Sequence, residues 1–357
     1  MTEQETVERT SDAAIEQPQQ GLPDEPYYRR VSQRNRGATR VGALLVIAGL
    51  LWLAIELVGH GPFFGGSRSS TSIAAPLPGN RIELDLGAGD VEIQTAAGPD
   101  VRVETTKYGI WQGNPLAVSQ LDDRALVRNE AHPGLFGLCF GRCGLSYHVT
   151  APANANMLVH TSSGDISITG VTGEVELTSS SGDVTARNIA HGLAATTSSG
   201  DITLSRVGGR LEVQTSSGDV QLDQGQVMDA NVQTSSGEID LSGVSGALTL
   251  GSSSGDVTVR DAHDGRLSIQ TQSGEVNYTG NLAGDSSITT SSGDVKLHLP
   301  AGSGFALSAS TGSGDLQSGF DLRDRQQGDR SLSGIVGAGG AALKIATSSG
   351  DIEVGRR

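Results

Sequence analysis

An all-β, single-stranded β-solenoid with about 18–19 residues per turn is the fold this sequence predicts, and three observations predict it. A Ser-Gly-Asp or Ser-Gly-Glu signature recurs, its glycine falling at Gly164, Gly182, Gly200, Gly218, Gly237, Gly255, Gly274, Gly293, Gly314 and Gly350. The first eight recur every 18 or 19 residues and the last two intervals are longer. A fixed period of this size marks a chain whose units bury their apolar faces only against neighbouring units. Apolar residues inside each unit alternate with polar ones, and helical spacing fits nowhere in the repeat region. Fifty glycines and only 4% aromatic residues suit many turns around a thin aliphatic core.

Two units show the pattern. GDITLSRVGGRLEVQTSS (200–217) puts Ile202, Leu204, Val207, Leu211 and Val213 on alternating positions around a central Gly-Gly turn, and GEIDLSGVSGALTLGSSS (237–254) repeats this with Ile239, Leu241, Val244, Leu248 and Leu250. Each turn therefore reads as two short strands, with one corner at mid-repeat and the other at Ser-Gly-Asp. Glycine there would supply a corner with positive φ, Asp and Ser would bond back to the turn, and stacked Ser and Thr hydroxyls would form ladders.

The acids that follow the glycine precede an inward Val or Ile and so point outward. Asp165, Asp183, Asp201, Asp219, Glu238, Asp256, Glu275 and Asp294 would form one column. At the strand spacing of about 4.8 Å, neighbouring charges repel by roughly 0.9 kcal/mol in water. Such a row of oxygens is a candidate calcium column, through Asp165, Asp183, Asp201, Asp219, Asp256 and Asp294. It differs from calcium β-rolls in carrying the signature once per turn, on one edge, with Gly and Asp adjacent. The bland reading is a solvated corner, and no cofactor is otherwise implied.

Residues 161–357 form the regular array and residues 81–160 an irregular first section. IELDLGAGDVEIQTA (82–96) already carries the Gly-Asp corner, and DVRVET, ALVRNE and SYHVTAP read as strands. This section is expected to cap one end. At the other end, 317–340 reads as one long surface loop. Its Asp321, Arg323, Asp324, Arg325, Asp329 and Arg330 are either a self-paired solvated set or the acids of a carbohydrate-active site. Arg356 and Arg357 are expected to discourage strand addition at the last edge.

Residues 1–40 read as a largely disordered cytoplasmic tail, rich in Glu, Gln, Thr and Pro up to residue 28. VGALLVIAGLLWLAIELVG (41–59) is long enough to cross a bilayer as a helix, with Glu56 its single charge. Arg29, Arg30, Arg34, Arg36 and Arg40 precede it and Arg68 follows, which places the N-terminus in the cytoplasm of a single-pass protein and the array outside. Residues 60–80 are then a linker. Outside the cytoplasm, Cys139 and Cys143 would form a local disulfide; a free thiol pair and a zinc site with His132 or His148 are the alternatives.

A net charge of −15 argues against nucleic acid as a partner. The histidines, at 60, 132, 148, 160, 191, 263 and 298, show no metal-ligand spacing, and no Gly-x-Ser-x-Gly elbow occurs. Repeated identical corners give repeated identical environments, whereas acid–base work needs two carboxylates in different ones. No catalytic residue is expected.

The opening GAGDVEIQ, the run VTAPANANMLVHTSSGD (149–165) and the closing TSSGDIEV (347–354) resemble a bacterial family of adhesin-like proteins, built on a domain of unknown function with TSSGDI-type repeats. The likeness covers residues 82–357 and implies a β-solenoid displayed outside a bacterial cytoplasmic membrane. The span also resembles those of cell-envelope stress proteins related to the Lia system. The expected function is non-enzymatic envelope binding, with the bilayer engaged through 41–59. A cell-wall polymer or a membrane protein is the expected partner, and self-association through solenoid ends is a further expectation. An accessory role in envelope-stress signalling and a β-helical carbohydrate enzyme are the alternatives.

Overall fold

The computed structural model describes residues 69–76, 80–108, 111–112, 116–120, 124–133 and 144–357. The tail, the span at 41–59, Cys139 and Cys143 lie outside the described residues. What is described is all β, wound as a solenoid. Each turn contributes one strand before the Ser-Gly-Asp corner and one after it, and each strand pairs in parallel with its counterparts in the turns on either side.

The core is two stacks of aliphatic side chains facing each other. After the corner, register aligns Val91, Ile166, Val184, Ile202, Val220, Ile239, Val257, Val276, Val295, Ile352 and Leu316. Before it, the stack runs from Val127 and Leu84 through Val159, Leu177 and Ala195 to Ile288, Ile345 and Ala309. The ten apolar positions read from the two sample units are all buried. Each fully buried aliphatic side chain contributes about 1.5–3 kcal/mol, realised only once a neighbouring turn covers it.

The slight unevenness of the repeat, one position longer in some turns than in others, is reconciled by a bulge. Gly209 aligns with Val227 but Arg210 aligns with Asp229, so Met228 is the extra residue of its turn and stands 75% exposed. The mid-repeat corner is not a uniform Gly-Gly turn. It is a column of left-handed residues, Gly170, Asn188, Arg206, Gln224, Gly243 and Asp261, all with φ between 50° and 85°. Only one of its members is followed two residues later by a Gly-Gly pair, at Gly208 and Gly209.

The order of turns departs from chain order at both ends. The last turn in sequence, Ala341–Ser349 with Ile352–Arg356, lies between the turn Ser286–Ser292 with Val295–Leu299 and the turn Phe305–Thr311 with Leu316–Ser318. The first turn, Arg81–Asp85 with Asp90–Ala96, likewise lies between Asn156–Ser163 with Ile166–Thr169 and Ala125–Arg128 with Gly144–Pro152. Antiparallel strands then close the stack. Asp100–Tyr108 covers Gly144–Pro152 and is itself covered by Ser69–Pro76, inside the expected linker, while Ala117–Gln120 covers Ala125–Arg128.

Two expectations are corrected here. Residues 317–340 are not one long loop: Leu322–Gly328 and Ser331–Val336 form a hairpin, and its second strand pairs antiparallel with Phe305–Thr311. Covering that edge satisfies backbone groups an open loop would leave exposed. Arg356 and Arg357 do not guard the last edge, because their strand is interior. Arg356 bonds Asp321 at 2.8 Å and lies over the Phe320 ring, and Arg357 bonds Asp261 at 2.8 Å.

Candidate functional site

The Ser-Gly-Asp corner has three columns with separate roles. In the glycine column only Gly164 and Gly314 have positive φ, so conformational freedom explains only those two. Elsewhere the reason is proximity: a Cβ on Gly182, Gly200, Gly218 or Gly237 would lie 1.8–2.1 Å from the carbonyl oxygen of the preceding turn's glycine. The same test places Gly350 on Gly293 and Gly314 on Gly350, which confirms the exchanged order of the last turns.

In the acid column each aspartate accepts a backbone hydrogen bond from the next turn. Asp183 N–H donates to Asp165 Oδ1, Asp201 to Asp183 and Asp219 to Asp201, each at 2.9 Å. Glu238 and Glu275 donate to Asp219 and Asp256 at 2.8 Å, and Asp351 to Asp294 at the same distance. Glutamate receives no such bond from the following turn; Glu275 instead holds Lys296 at 2.5 Å, and that hydrogen bond and charge raise the lysine's pKa above its ordinary value. One oxygen of each candidate calcium ligand that follows this pattern is thus already engaged. Among the described residues no three acidic, His or Cys side chains converge on a point that could hold a metal.

The third column is buried and hydroxylic: Thr161, Ser179, Thr197, Thr215, Thr234, Ser252, Thr271, Thr290, Thr347 and Thr311, three residues before each glycine. Thr215 Oγ1 donates to Gly200 O at 3.4 Å and accepts from Gly218 N–H at 3.2 Å; Thr234 does the same between Gly218 and Gly237. Reading Ser and Thr together as ladders blurred this. The signal was available in the fixed first position of TSSGD, which alternation puts inside.

Beside the corner and along the faces, the surface carries open grooves. One, of ≈ 320 Å³, crosses the strands before the corner, where Gln214, Gln233, Gly251 and Gln270 stand in register. A second, of ≈ 290 Å³, is floored by Leu158 and Ala194 and edged by Arg81, Arg210, Glu176 and Glu212. A third, of ≈ 190 Å³, holds His148 between Glu92 and Glu104, with Nδ1 3.3 Å from Glu92 Oε2. His191 and His263 sit at mid-repeat corners, far along the array from His148. The charges of 317–340 do not pair with one another. Asp321 bonds Arg356, Arg323 bonds Gly337 O at 2.8 Å and Arg325 bonds Gln327 at 2.6 Å.

Comparison with known proteins follows the same repeat. The Toastrack DUF4097 family model matches residues 149–210, 190–280 and 279–355. A crystal structure of a candidate cell adhesion protein from Clostridium sporogenes ATCC 15579 is 12% identical, with a TM-score of 0.21, over 81% of this chain and 100% of that one. A candidate adhesin from Parabacteroides distasonis ATCC 8503 is 13% identical, with a TM-score of 0.41, over 81% of this chain and 98% of that one. No curated protein sequence matches.

Proposed function

We propose a binding function on the premise that this chain, matched over residues 149–355, belongs to the Toastrack family, DUF4097. It is a non-enzymatic, adhesin-like protein of the cell envelope, held in the cytoplasmic membrane by residues 41–59, with its solenoid outside. One observation carries the reading: chemistry on the outer surface is repeated along the array rather than gathered at one point. Gln214, Gln233 and Gln270 recur in register on one face, and the acids recur at one corner with their oxygens turned to the next turn's backbone. Repetition of this kind suits a partner that is itself long or repetitive, since each turn adds a similar contact. Catalysis needs unlike groups held together.

A crosslinked pull-down of the full-length protein from its native membranes tests this, with fragment 1–70 as control. Envelope polymer recovered by the full chain and not by the fragment is the expected result. Recovery of a sensor kinase or another membrane signalling protein by both would overturn it and make the chain a signalling accessory.

A further inference from the structure

We propose that the groove over Gln214, Gln233, Gly251 and Gln270 binds an extended, uncharged polysaccharide strand. The proposal rests on the binding reading above and names its ligand class and its site.

The walls of the groove are Gln, Thr, Ser and Gly, without an ionisable side chain, on a chain of net charge −15. The Gln214, Gln270 and Gln272 amides are exposed and make no hydrogen bond within the described chain; Gln233 makes one, to Asn231 at 3.2 Å. A primary amide offers both donors and acceptors, which is what a sugar hydroxyl, itself donor and acceptor, requires. Ser235 and Ser253 add hydroxyls along one lip.

Spacing argues for a polymer. Gln214 aligns with Gln233, Gln233 with Gly251 and Gly251 with Gln270, so the polar groups recur at the strand separation over three steps, about 14 Å. Gly251 breaks the column and leaves a notch. Its backbone is not left-handed, and the nearest groups a Cβ would meet are Gln233 Cγ at 3.7 Å and Gln270 O at 4.0 Å. A glutamine would fit there, so the missing side chain opens room rather than relieving a clash.

Charge selects against the other polymers. Asp219, Glu238, Asp256 and Glu275 follow the same corners by one residue beyond the glycines, so a polyanion laid in the groove would run beside an acid column. A protein partner would need an apolar or aromatic anchor, and the groove presents none.

The test uses the full-length chain in detergent micelles, titrated with cellohexaose, chitohexaose and maltohexaose, and with polygalacturonate as the acidic control. At least one neutral hexasaccharide should bind. Gly251→Gln should weaken binding about tenfold or more because its side chain occupies the notch the strand must enter, and the triple variant Q214A/Q233A/Q270A should do so through loss of a few hydrogen bonds, both with unchanged melting temperature. Unchanged binding in both variants would overturn the groove while leaving the broader function intact. Binding of polygalacturonate alone, or of none of the four probes, would also overturn it; the broader function then stands or falls on the pull-down.

Discussion

The backbone N–H of Asp183 donates to Oδ1 of Asp165 across 2.9 Å, and the same bond links Asp201 to Asp183 and Asp219 to Asp201. The acid that looks like a metal ligand in the sequence is, in the fold, an acceptor reaching from one turn to the next. Asparagine keeps that acceptor and removes the charge, whereas alanine removes both. Asp201→Ala is therefore expected to cost about 1–2 kcal/mol in chemical denaturation, and Asp201→Asn well under about 1 kcal/mol. Melting temperatures in calcium and in chelator should coincide for the wild-type chain; a rise in calcium that Asp201→Asn abolishes would restore the cation column.

The glycine column separates close stacking from backbone freedom. Gly218→Ala places Cβ 1.8 Å from Gly200 O, a backbone atom held on both sides, so the turns must part. A loss of about 3 kcal/mol or failure to fold is expected. Gly251→Ala meets nothing closer than 3.7 Å and should leave the denaturation midpoint nearly unchanged.

Much of this was legible in the sequence, and the remainder has physical reasons for hiding. Period-2 alternation places Ile202 and Leu204, and again Leu211 and Val213, inside, because a half-buried strand permits little else, while Val207 comes inside through the change of phase at left-handed Arg206. The lengthened interval that ends at Gly237 already signals one inserted residue, and exposed Met228 is that residue. Strand order was not legible. Parallel neighbours with nearly identical inward stacks carry no mark of which turn sits on which, so exchanging two end turns costs nothing the pattern records. The long interval from Gly314 to Gly350 was the one trace, and it read as a loop because the hairpin strand Leu322–Gly328 is almost wholly exposed and lacks alternation. The open groove was invisible for another reason: Gln214, Gln233 and Gln270 become neighbours only through register.

Two members of the buried hydroxyl column should respond in opposite directions. Thr215 bridges Gly200 O and Gly218 N–H, so Thr215→Val strands a buried donor and should cost about 1–3 kcal/mol. The Thr271 hydroxyl is buried without a partner, and Thr271→Val should be neutral or stabilising. Urea denaturation of the two variants side by side measures the difference.

Two buried tyrosines make the fold sensitive to alkali. Burial raises the pKa of both Tyr147 and Tyr278 above the ordinary phenol value near 10. With the folded pKa above the unfolded one, their contribution is fully present below about pH 10 and is lost as pH climbs past it, because only the unfolded chain ionises readily. Y147F/Y278F should flatten the fall in stability above about pH 10. At neutral pH the single variants should differ. Tyr278 Oη donates to Asn281 O at 2.6 Å, so Tyr278→Phe should cost about 1 kcal/mol. The Tyr147 hydroxyl has no partner, and Tyr147→Phe should cost nothing.

The exchanged turns at the C-terminal end make the last residues structurally central. Ile345 packs in register between Ile288 and Ala309, and Ile352 between Val295 and Leu316, so among the described residues the strands of 341–356 are what pairs the regular array with the turn 305–318 in both strand stacks. Arg356 fastens the same turn through Phe320, whose ring meets Phe305 edge-on at 5.4 Å, and through Asp321. In a solenoid ordered by its sequence, removing the final turn would shorten the array by one unit and leave the rest paired. Here deletion of 341–357 should release everything from Pro300 onward, and amide hydrogen exchange over 305–336 should rise to near the unfolded rate while 161–282 stays protected. Protection of 305–311 in the truncated chain would mean that the turn docks directly on Ser286–Ser292, and that the inserted position of the C-terminus is dispensable.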